Sequence, residues 1–443
     1  MKQREHGCFV TILGCGLSVL LACWTPSLVV RAVDNAAAVD SLAGATAAAV
    51  FDFIETLYDQ QDRALNDYLA EQLAAFIRTF PVSEHVATAR FLQGRVALEA
   101  GDDHRAFACF MKTLFLHPGT MAHAKAAEGA RMVITTNKSY QEHRNELLGM
   151  IGKEETTEKP ADRFYSYISF LHGLDQSKLL ERSRNEYQEF LSFYPTDPRN
   201  ETVLHWIAES HLKQRQYREA VASYLKFEYM FPTSNLLAAV RIRRAELLSE
   251  KLKEPEQAMA ALTAIIVDAP RTDVAGTALF LRASIKAEKR KDHLGAVADY
   301  RQLASSLPQH GRAVDAMLAM AEIYAKKLKD YGEAVTVYDQ VAENYPRDPK
   351  SITALKESSK IYEDRLKQPA TAAARYARIA DLFPENEQAA EALLEAAKIS
   401  RNQAKDYQQA AEYYQRIVDD YPRTDQARKA REELAKLQGA SEG

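Results

Sequence analysis

Hydrophobic and small residues recur along the chain from residue 41 onwards, with a period of about 38 residues. Most periods close with an aromatic or apolar residue followed by proline. The closing prolines are Pro81, Pro118, Pro195, Pro232, Pro270, Pro308, Pro346, Pro384 and Pro422. One period separates each of them from the next, except that the gap from Pro118 to Pro195 spans two periods, with a polar break at Glu154–Pro160. Self-similarity at such a period indicates a repeat architecture.

Each period carries the same residue types at fixed positions after its proline. A small residue stands at +13, an alanine near +26, and a ring or aliphatic residue four positions later; in the clearest copy these are Ala321, Ala334 and Tyr338. Spacings of three and four residues place side chains on one face of a helix. Small residues let a neighbouring helix approach closely, and the ring fills the space beside them. We therefore predict two helices per period, about 312–328 and 331–344 in this copy.

The predicted fold class is all-α, with about ten helix-turn-helix repeats stacked as an α-solenoid over residues 41–422. The repeats are 41–81, 82–118, 119–157, 158–195, 196–232, 233–270, 271–308, 309–346, 347–384 and 385–422. The first and third match the pattern poorly. Residues 423–438 are predicted to form a last, more polar capping helix, because the outer side of a terminal element must face water.

This layout resembles the tetratricopeptide repeat (TPR). Its units carry a small residue in the first helix, then alanine, aromatic and aliphatic residues in the second, and a closing proline. Ala321, Ala334, Tyr338, Val341 and Pro346 occupy those places here. The resemblance implies a right-handed superhelical solenoid. The repeat is longer than the family's usual unit of about 34 residues, and most of the additional residues follow the proline. This longer form resembles repeats of bacterial envelope proteins, notably the outer-membrane β-barrel assembly lipoprotein and the Tol-Pal-associated periplasmic coordinator of cell-wall synthesis.

The N-terminus is typical of a secretory signal. Lys2 and Arg4 precede an apolar run, Phe9–Cys23, which is short for a membrane span of about 20 residues. We predict a signal peptide at residues 1–32 with cleavage after Ala32, and hence a periplasmic location. One alternative is that Leu20–Cys23 is a lipobox, so that Cys23 is lipidated and the protein is an outer-membrane lipoprotein. An uncleaved signal anchor is the other.

Composition and charge narrow the function classes. Hydrophobic residues make up 47% and charged residues 27% of the chain, as in ordinary soluble proteins, and the net charge of −4 offers no positive field for nucleic acid. Three of the four cysteines lie in the signal, so the exported protein would keep only Cys109 and form no internal disulfide. Cys109 lies in an apolar helical pattern and is predicted to be a buried structural thiol.

The search for enzyme chemistry is largely negative. The sequence has no GxxxxGK[ST], HExxH, GxSxG or CxxC motif. His205 and His211 are six positions apart and would point to different sides of a helix, whereas histidines that bind zinc on a helix prefer a spacing of four. We therefore predict no catalytic residues, no metal and no cofactor, and a protein that is not an enzyme.

What remains is a binding surface. In the resembled family the first helix of each repeat lines a concave groove that holds peptides. Carried onto this register, the resemblance implies groove positions His205, Glu209, Lys213, Ile242, Glu246, Glu250, Phe280, Ser284, Glu288, Leu318, Glu322, Lys326, Lys356, Lys360 and Asp364. A groove of mixed charge with a few apolar anchors could hold a peptide or a partner helix.

The predicted function is a non-enzymatic protein–protein interaction scaffold in the bacterial periplasm, which binds a protein or peptide partner in this groove. The alternative is an outer-membrane lipoprotein component of an assembly, secretion or cell-wall machine, anchored through Cys23. In either case contact with the membrane is expected only through the signal or the lipid anchor. The sequence leaves the partner, the pathway and the oligomeric state open.

Overall fold

The computed structural model describes residues 36–151 and 159–439. The predicted signal peptide and Cys23 lie outside these residues, as does most of the polar break at 154–160. The described ranges form twenty-one α-helices and contain no strand. The helices are α1 (Ala36–Asp59), α2 (Asn66–Thr79), α3 (Val86–Glu99), α4 (Asp103–Leu116), α5 (Met121–Thr136), α6 (Arg144–Ile151), α7 (Pro160–Leu174), α8 (Leu180–Phe193), α9 (Asn200–Lys213), α10 (Tyr217–Met230), α11 (Leu237–Glu250), α12 (Pro255–Asp268), α13 (Asp273–Ile285), α14 (His293–Ser306), α15 (Ala313–Ile323), α16 (Tyr331–Asn344), α17 (Lys350–Asp364), α18 (Pro369–Leu382), α19 (Ala389–Ile399), α20 (Tyr407–Asp420) and α21 (Asp425–Gly439).

The chain divides into two compact halves, an N-terminal half up to Gln216 and a C-terminal half from Tyr217. In the C-terminal half each helix from α10 to α21 packs against the next helix along the chain. Helices one further apart also touch, as α11 touches α13 and α19 touches α21. In the N-terminal half α3, α4 and α5 pack together in the same way. The all-α fold with stacked helix pairs is therefore confirmed.

The first twenty helices fall two to each predicted repeat. In the repeat 309–346 the first helix is α15, extended by a π-helical turn at Tyr324–Leu328, and the second is α16. Similar π-helical turns follow α13 at Lys286–Arg290 and α19 at Ser400–Ala404. The third repeat is irregular, because α6 is short and α4 packs directly against α7 of the following repeat.

The residue types that repeat in the sequence form the core. The alanines near +26, from Ala106 to Ala410, are all fully buried, and so are most of the small residues at +13. Tyr338 is buried in the core that these residues build in the C-terminal half. Burial of a large ring beside small residues on the neighbouring helix removes apolar area from water, so each repeat is stabilised by its neighbours.

Candidate functional site

The groove positions implied by the sequence lie on the first helices of five repeats. His205, Glu209 and Lys213 lie on α9 in the N-terminal half, and the others lie in the C-terminal half on α11, α13, α15 and α17 or in the π-helical turns after α13 and α15. Glu250, Glu288, Glu322, Lys326, Lys360 and Asp364 are exposed, as is Lys213. The rest are half-buried.

In the C-terminal half the three apolar positions serve the core. Ile242, Phe280 and Leu318 are half-buried and pack against the hydrophobic core. The Phe280 ring meets the Tyr300 ring edge-to-face at 5.4 Å between centroids, and the Arg312 guanidinium lies 4.8 Å from the Phe280 centroid. Part of each of these side chains therefore stabilises helix stacking, and only the remaining surface could meet a partner.

The charged positions in this half mostly pair with close neighbours. The Glu246 carboxylate lies 3.0 Å from Arg243 Nη1, and Lys326 Nζ lies 2.6 Å from Glu322. Lys360 pairs with Glu357 at 2.7 Å. Lys356 Nζ donates a hydrogen bond of 2.5 Å to Gln388 Oε1. The three ion pairs are local, and surface ion pairs of this kind contribute little to stability, whereas the Lys356 hydrogen bond reaches the following repeat.

In the N-terminal half, by contrast, α9 contributes to a small open pocket between α7, α8 and α9, with room for about one water molecule. Two predicted positions, Glu209 and Lys213, belong to its lining. The other lining residues are Leu171, His172, Asp175, Gln176, Leu180, Ser183, Tyr187, Trp206 and Ser210. Pockets that combine aromatic walls with a few charged groups are the usual form of a binding site.

An aromatic cluster around Trp206 forms one wall. The His172 ring stacks on Trp206 with centroids 4.3 Å apart and planes 15° apart, and the Tyr165 ring stacks at 5.7 Å. Tyr187 lies at 5.6 Å from Trp206, and its hydroxyl lies 3.4 Å from His172 Nδ1. Burial, helped by the nearby Lys213 ammonium, lowers the pKa of His172, so this ring is neutral at pH 7.

The charges around the pocket are mainly negative. At its rim Lys213 Nζ lies 2.5 Å from the Asp175 carboxylate, so these two charges neutralise each other. The half-buried Glu209 carboxylate has no ion-pair partner among residues 36–151 and 159–439. An acid left unpaired beside an aromatic wall favours a cationic group over an anionic one.

The sequence indicated Glu209 and Lys213 but not the pocket. His172, Asp175 and Tyr187 lie on other helices or in the turn between them, and no spacing in the sequence relates them to α9. His205 and His211 form no metal site: His211 Nδ1 lies 2.8 Å from Gln216 Oε1, and no group of three His, Cys, Asp or Glu side chains in the described ranges is placed to hold a metal ion.

Comparison with known families supports the repeat assignment. Residues 315–348 and 391–424 match the model of the tetratricopeptide repeat. These two segments are therefore similar to tetratricopeptide repeats. The first spans most of α15 and all of α16, and the second spans most of α19 and all of α20. Both fall in the register that the prolines define.

Several solved structures are similar over much of their length. A tetratricopeptide repeat protein from Parabacteroides merdae is 17% identical, with 63% of this chain and 98% of that chain covered and a TM-score of 0.34. PilW, a widely conserved type IV pilus biogenesis factor, is 17% identical over 53% of this chain and 99% of its own, with a TM-score of 0.29. YrrB, a TPR protein with an unusual peptide-binding site, is 15% identical over 47% of this chain and 97% of its own, with a TM-score of 0.29. No curated protein matches the sequence significantly.

None of the helices in residues 36–151 and 159–439 has the length and hydrophobicity that crossing a bilayer requires.

Proposed function

We propose that the protein is a non-enzymatic scaffold that binds a segment of a partner protein through the first helices of its repeats. The observation that carries this proposal is the pocket on α9, where an unpaired Glu209 lies beside the aromatic cluster of Trp206. The stacked helices of the N-terminal half support such a site, because α9 packs against α8 and α8 packs against α7.

The proposed location is the bacterial periplasm, with residues 1–32 as a cleaved signal peptide. The alternative remains an outer-membrane lipoprotein anchored through Cys23. Residues 41–422 would form the scaffold and residues 423–438 its cap. Both locations expose the pocket to other envelope proteins.

The pocket would take a basic side chain of the partner. A guanidinium or ammonium group entering beside Glu209 would form an ion pair with a carboxylate that lacks one, in a half-buried place where screening by salt is weaker than at the surface. The half-buried Trp206 ring would contact the aliphatic stem of that side chain. Lys213 would repel this basic side chain only weakly, because the Asp175 carboxylate neutralises the Lys213 charge.

Tryptophan fluorescence tests this proposal directly, because Trp206 lines the pocket and the other tryptophan of the chain, Trp24, falls in the predicted signal peptide. The probe is the peptide acetyl-Gly-Gly-Arg-Gly-Gly-amide, and a Trp206→Phe variant measures the contribution of Trp24. We expect a saturable change in Trp206 emission. Glu209→Gln should weaken binding about tenfold, which corresponds to the loss of one charge-assisted contact of about 1.4 kcal/mol.

Glu246→Gln is the matched control. Glu246 occupies the same repeat position on α11, but it already pairs with Arg243 and lies outside the pocket. This variant should bind the peptide as the wild type does. Equal affinity for a peptide with Gln in place of Arg, or unchanged affinity in Glu209→Gln, would contradict the proposal that the pocket selects a basic side chain.

A further inference from the structure

Five lysines occupy one repeated position at the turn between the two helices of consecutive repeats. We call them the lysine row: Lys253, Lys291, Lys329, Lys367 and Lys405. They recur at a constant interval of one repeat, and all lie in the C-terminal half. Each has a left-handed backbone conformation, with φ between 55° and 60°. The row therefore runs along one edge of the stacked repeats, one lysine per repeat.

The turn itself favours lysine only weakly. A residue that ends a helix in the left-handed conformation is usually glycine, because a side chain is unfavourable there. Glycine is found at none of the five positions. A positive charge near a helix C-terminus is favourable, but this effect is small for an exposed side chain and is weakened by salt. The backbone conformation thus disfavours lysine, whereas the helix dipole favours it slightly. Neither effect explains a lysine in each of five successive repeats.

The side chains of the lysine row are available to a partner. All five are exposed, and none of them is part of an ion pair within the described residues. Lys253 Nζ donates a hydrogen bond of 2.6 Å to the backbone oxygen of Glu250, which leaves two of its hydrogens free. The neighbouring Asp292, Asp330 and Asp406 accept hydrogen bonds from the backbone amides of Gly295, Glu333 and Gln409, and so are held by the helices that they cap.

The edge as a whole carries positive charge. The five turns, residues 250–256, 288–294, 326–332, 364–370 and 402–408, contain eleven basic and eight acidic residues, a net charge of +3 in a chain whose total is −4. Charges more than about 10 Å apart are largely screened at physiological salt. A partner bound at this edge is therefore attracted or repelled by the positive charge of the edge and not by the net negative charge of the chain.

A second copy of the chain is poorly suited to this edge. Two of the acids at the opposite ends of these helices are already engaged: Asp268 pairs with Arg241 at 2.5 Å, and Asp381 pairs with Arg416 at 2.6 Å. Using them against the lysine row of another copy would give up these contacts. The row therefore fits a partner that brings its own unpaired anions.

We propose that the lysine row docks the C-terminal half on a membrane surface that contains anionic phospholipids. Successive lysines lie on successive repeats, so each can meet a different headgroup phosphate. Lysine carries a compact charge on a flexible stem and suits such diffuse contacts. The same edge exposes Leu294 and Tyr407, which are 68% and 56% accessible, and such residues favour the bilayer interface. The site extends beyond the pocket on α9 and does not depend on it.

Co-sedimentation of the full chain with lipid vesicles tests this proposal. One set of vesicles contains phosphatidylglycerol in phosphatidylcholine, and the other contains phosphatidylcholine alone. All variants carry the same N-terminal segment, so differences between variants do not arise from it. In the first variant all five lysines of the row are changed to glycine. In the second they are changed to arginine, which keeps the charge.

The matched control removes the same number of charges elsewhere in the C-terminal half. Its five substitutions are Lys226→Gln, Lys350→Gln, Lys398→Gln, Lys429→Gln and Lys436→Gln. Because the control has the same net charge as the glycine variant, a difference between the two reports the position of the lysines. Urea unfolding of all variants checks that the fold is kept, and the glycine variant should be at least as stable as the wild type because its residues suit the left-handed turns.

We expect the wild type and the arginine variant to prefer anionic vesicles about tenfold or more, and the glycine variant to lose most of that preference. The control should retain it, and added salt should abolish it. No preference for anionic vesicles in the wild type, or an equal loss in the glycine variant and the control, would overturn the proposal. Binding of the row to polyglutamate but not to anionic vesicles would also overturn it, in favour of an acidic protein partner.

Discussion

His117 shows how one side chain can make the stability of this fold depend on pH. It follows α4, and its Nε2 atom is buried with no hydrogen-bond partner in the described part of the chain. Burial, followed by the nearby charges of Arg90, Arg163 and Lys112, lowers its pKa to about 4. An unfolded histidine has a pKa of about 6.5. Between these values the unfolded chain binds a proton that the folded chain does not, so stability falls as the pH falls.

At the residue scale we therefore predict an acid-sensitive step caused by His117. Lowering the pH from 7 to 5 should reduce the free energy of unfolding by about 2 kcal/mol through this residue. His117→Gln should remove that part of the pH dependence and leave the rest, as measured by urea unfolding at both pH values. If wild type and variant lose the same stability between pH 7 and pH 5, His117 is not responsible.

At the scale of the elements, the close packing of α3, α4 and α5 depends on two glycines. The fully buried Phe110 ring on α4 lies between Gly94 on α3 and Gly129 on α5. A Cβ atom on Gly94 would approach the ring to 2.5 Å, and one on Gly129 to 2.7 Å. These glycines are required by the distance between helices, because no methyl group fits between either backbone and the ring.

Gly94→Ala should therefore lower the free energy of unfolding by about 1–3 kcal/mol, the usual cost of overpacking a core. Adding Phe110→Leu should recover part of the loss, because the smaller side chain makes room for the methyl group. Gly149→Ala on α6 is the control: nothing lies within 4 Å of its Cβ position, so better helix propensity should stabilise the protein slightly. Urea unfolding of the three variants distinguishes packing from propensity. Equal effects of Gly94→Ala and Gly149→Ala would contradict the packing argument.

At the scale of the molecule, the repeats of the C-terminal half are nearly interchangeable. Removing residues 309–346 deletes α15 and α16 and joins α14 to α17. The new interface would place Ile352 and Leu355 of α17 where Val314 and Met317 of α15 packed before, and all four are buried apolar residues. Stability in such stacks is close to a sum of repeats and their nearest-neighbour interfaces.

We predict that deletion of 309–346 leaves cooperative unfolding and an unchanged helical ellipticity per residue. Deletion of 309–328 removes only α15 with its π-helical turn, so α16 would have no first helix to pack against. That variant should lose ellipticity and unfold at lower urea concentration. Circular dichroism during urea titration measures both. Equal damage by the two deletions would show that the repeat register is not the unit of stability.

The helices, their repeat boundaries and most of the core follow from the sequence, because each repeat restates the same local pattern. Ala334 and Tyr338 are buried for the reason that their spacing predicts: both lie on the face of their helix that packs against neighbouring helices. In the sequence the irregular third repeat shows only as a poor match to the repeat pattern. Its contact of α4 with α7 depends on the short length of α6, which the pattern does not predict.

The candidate site is decided by the tertiary structure. His172, Tyr187 and Trp206 come from three helices, and only the stacking of α7, α8 and α9 brings their rings together. Likewise, the sequence shows lysines one period apart, but the left-handed turns and the absence of ion pairs in the lysine row are properties of the folded chain in its described ranges. Periodicity in the sequence predicts which side chains pack between helices that follow each other along the chain. A pocket or an unpaired charge depends instead on side chains that are distant in sequence.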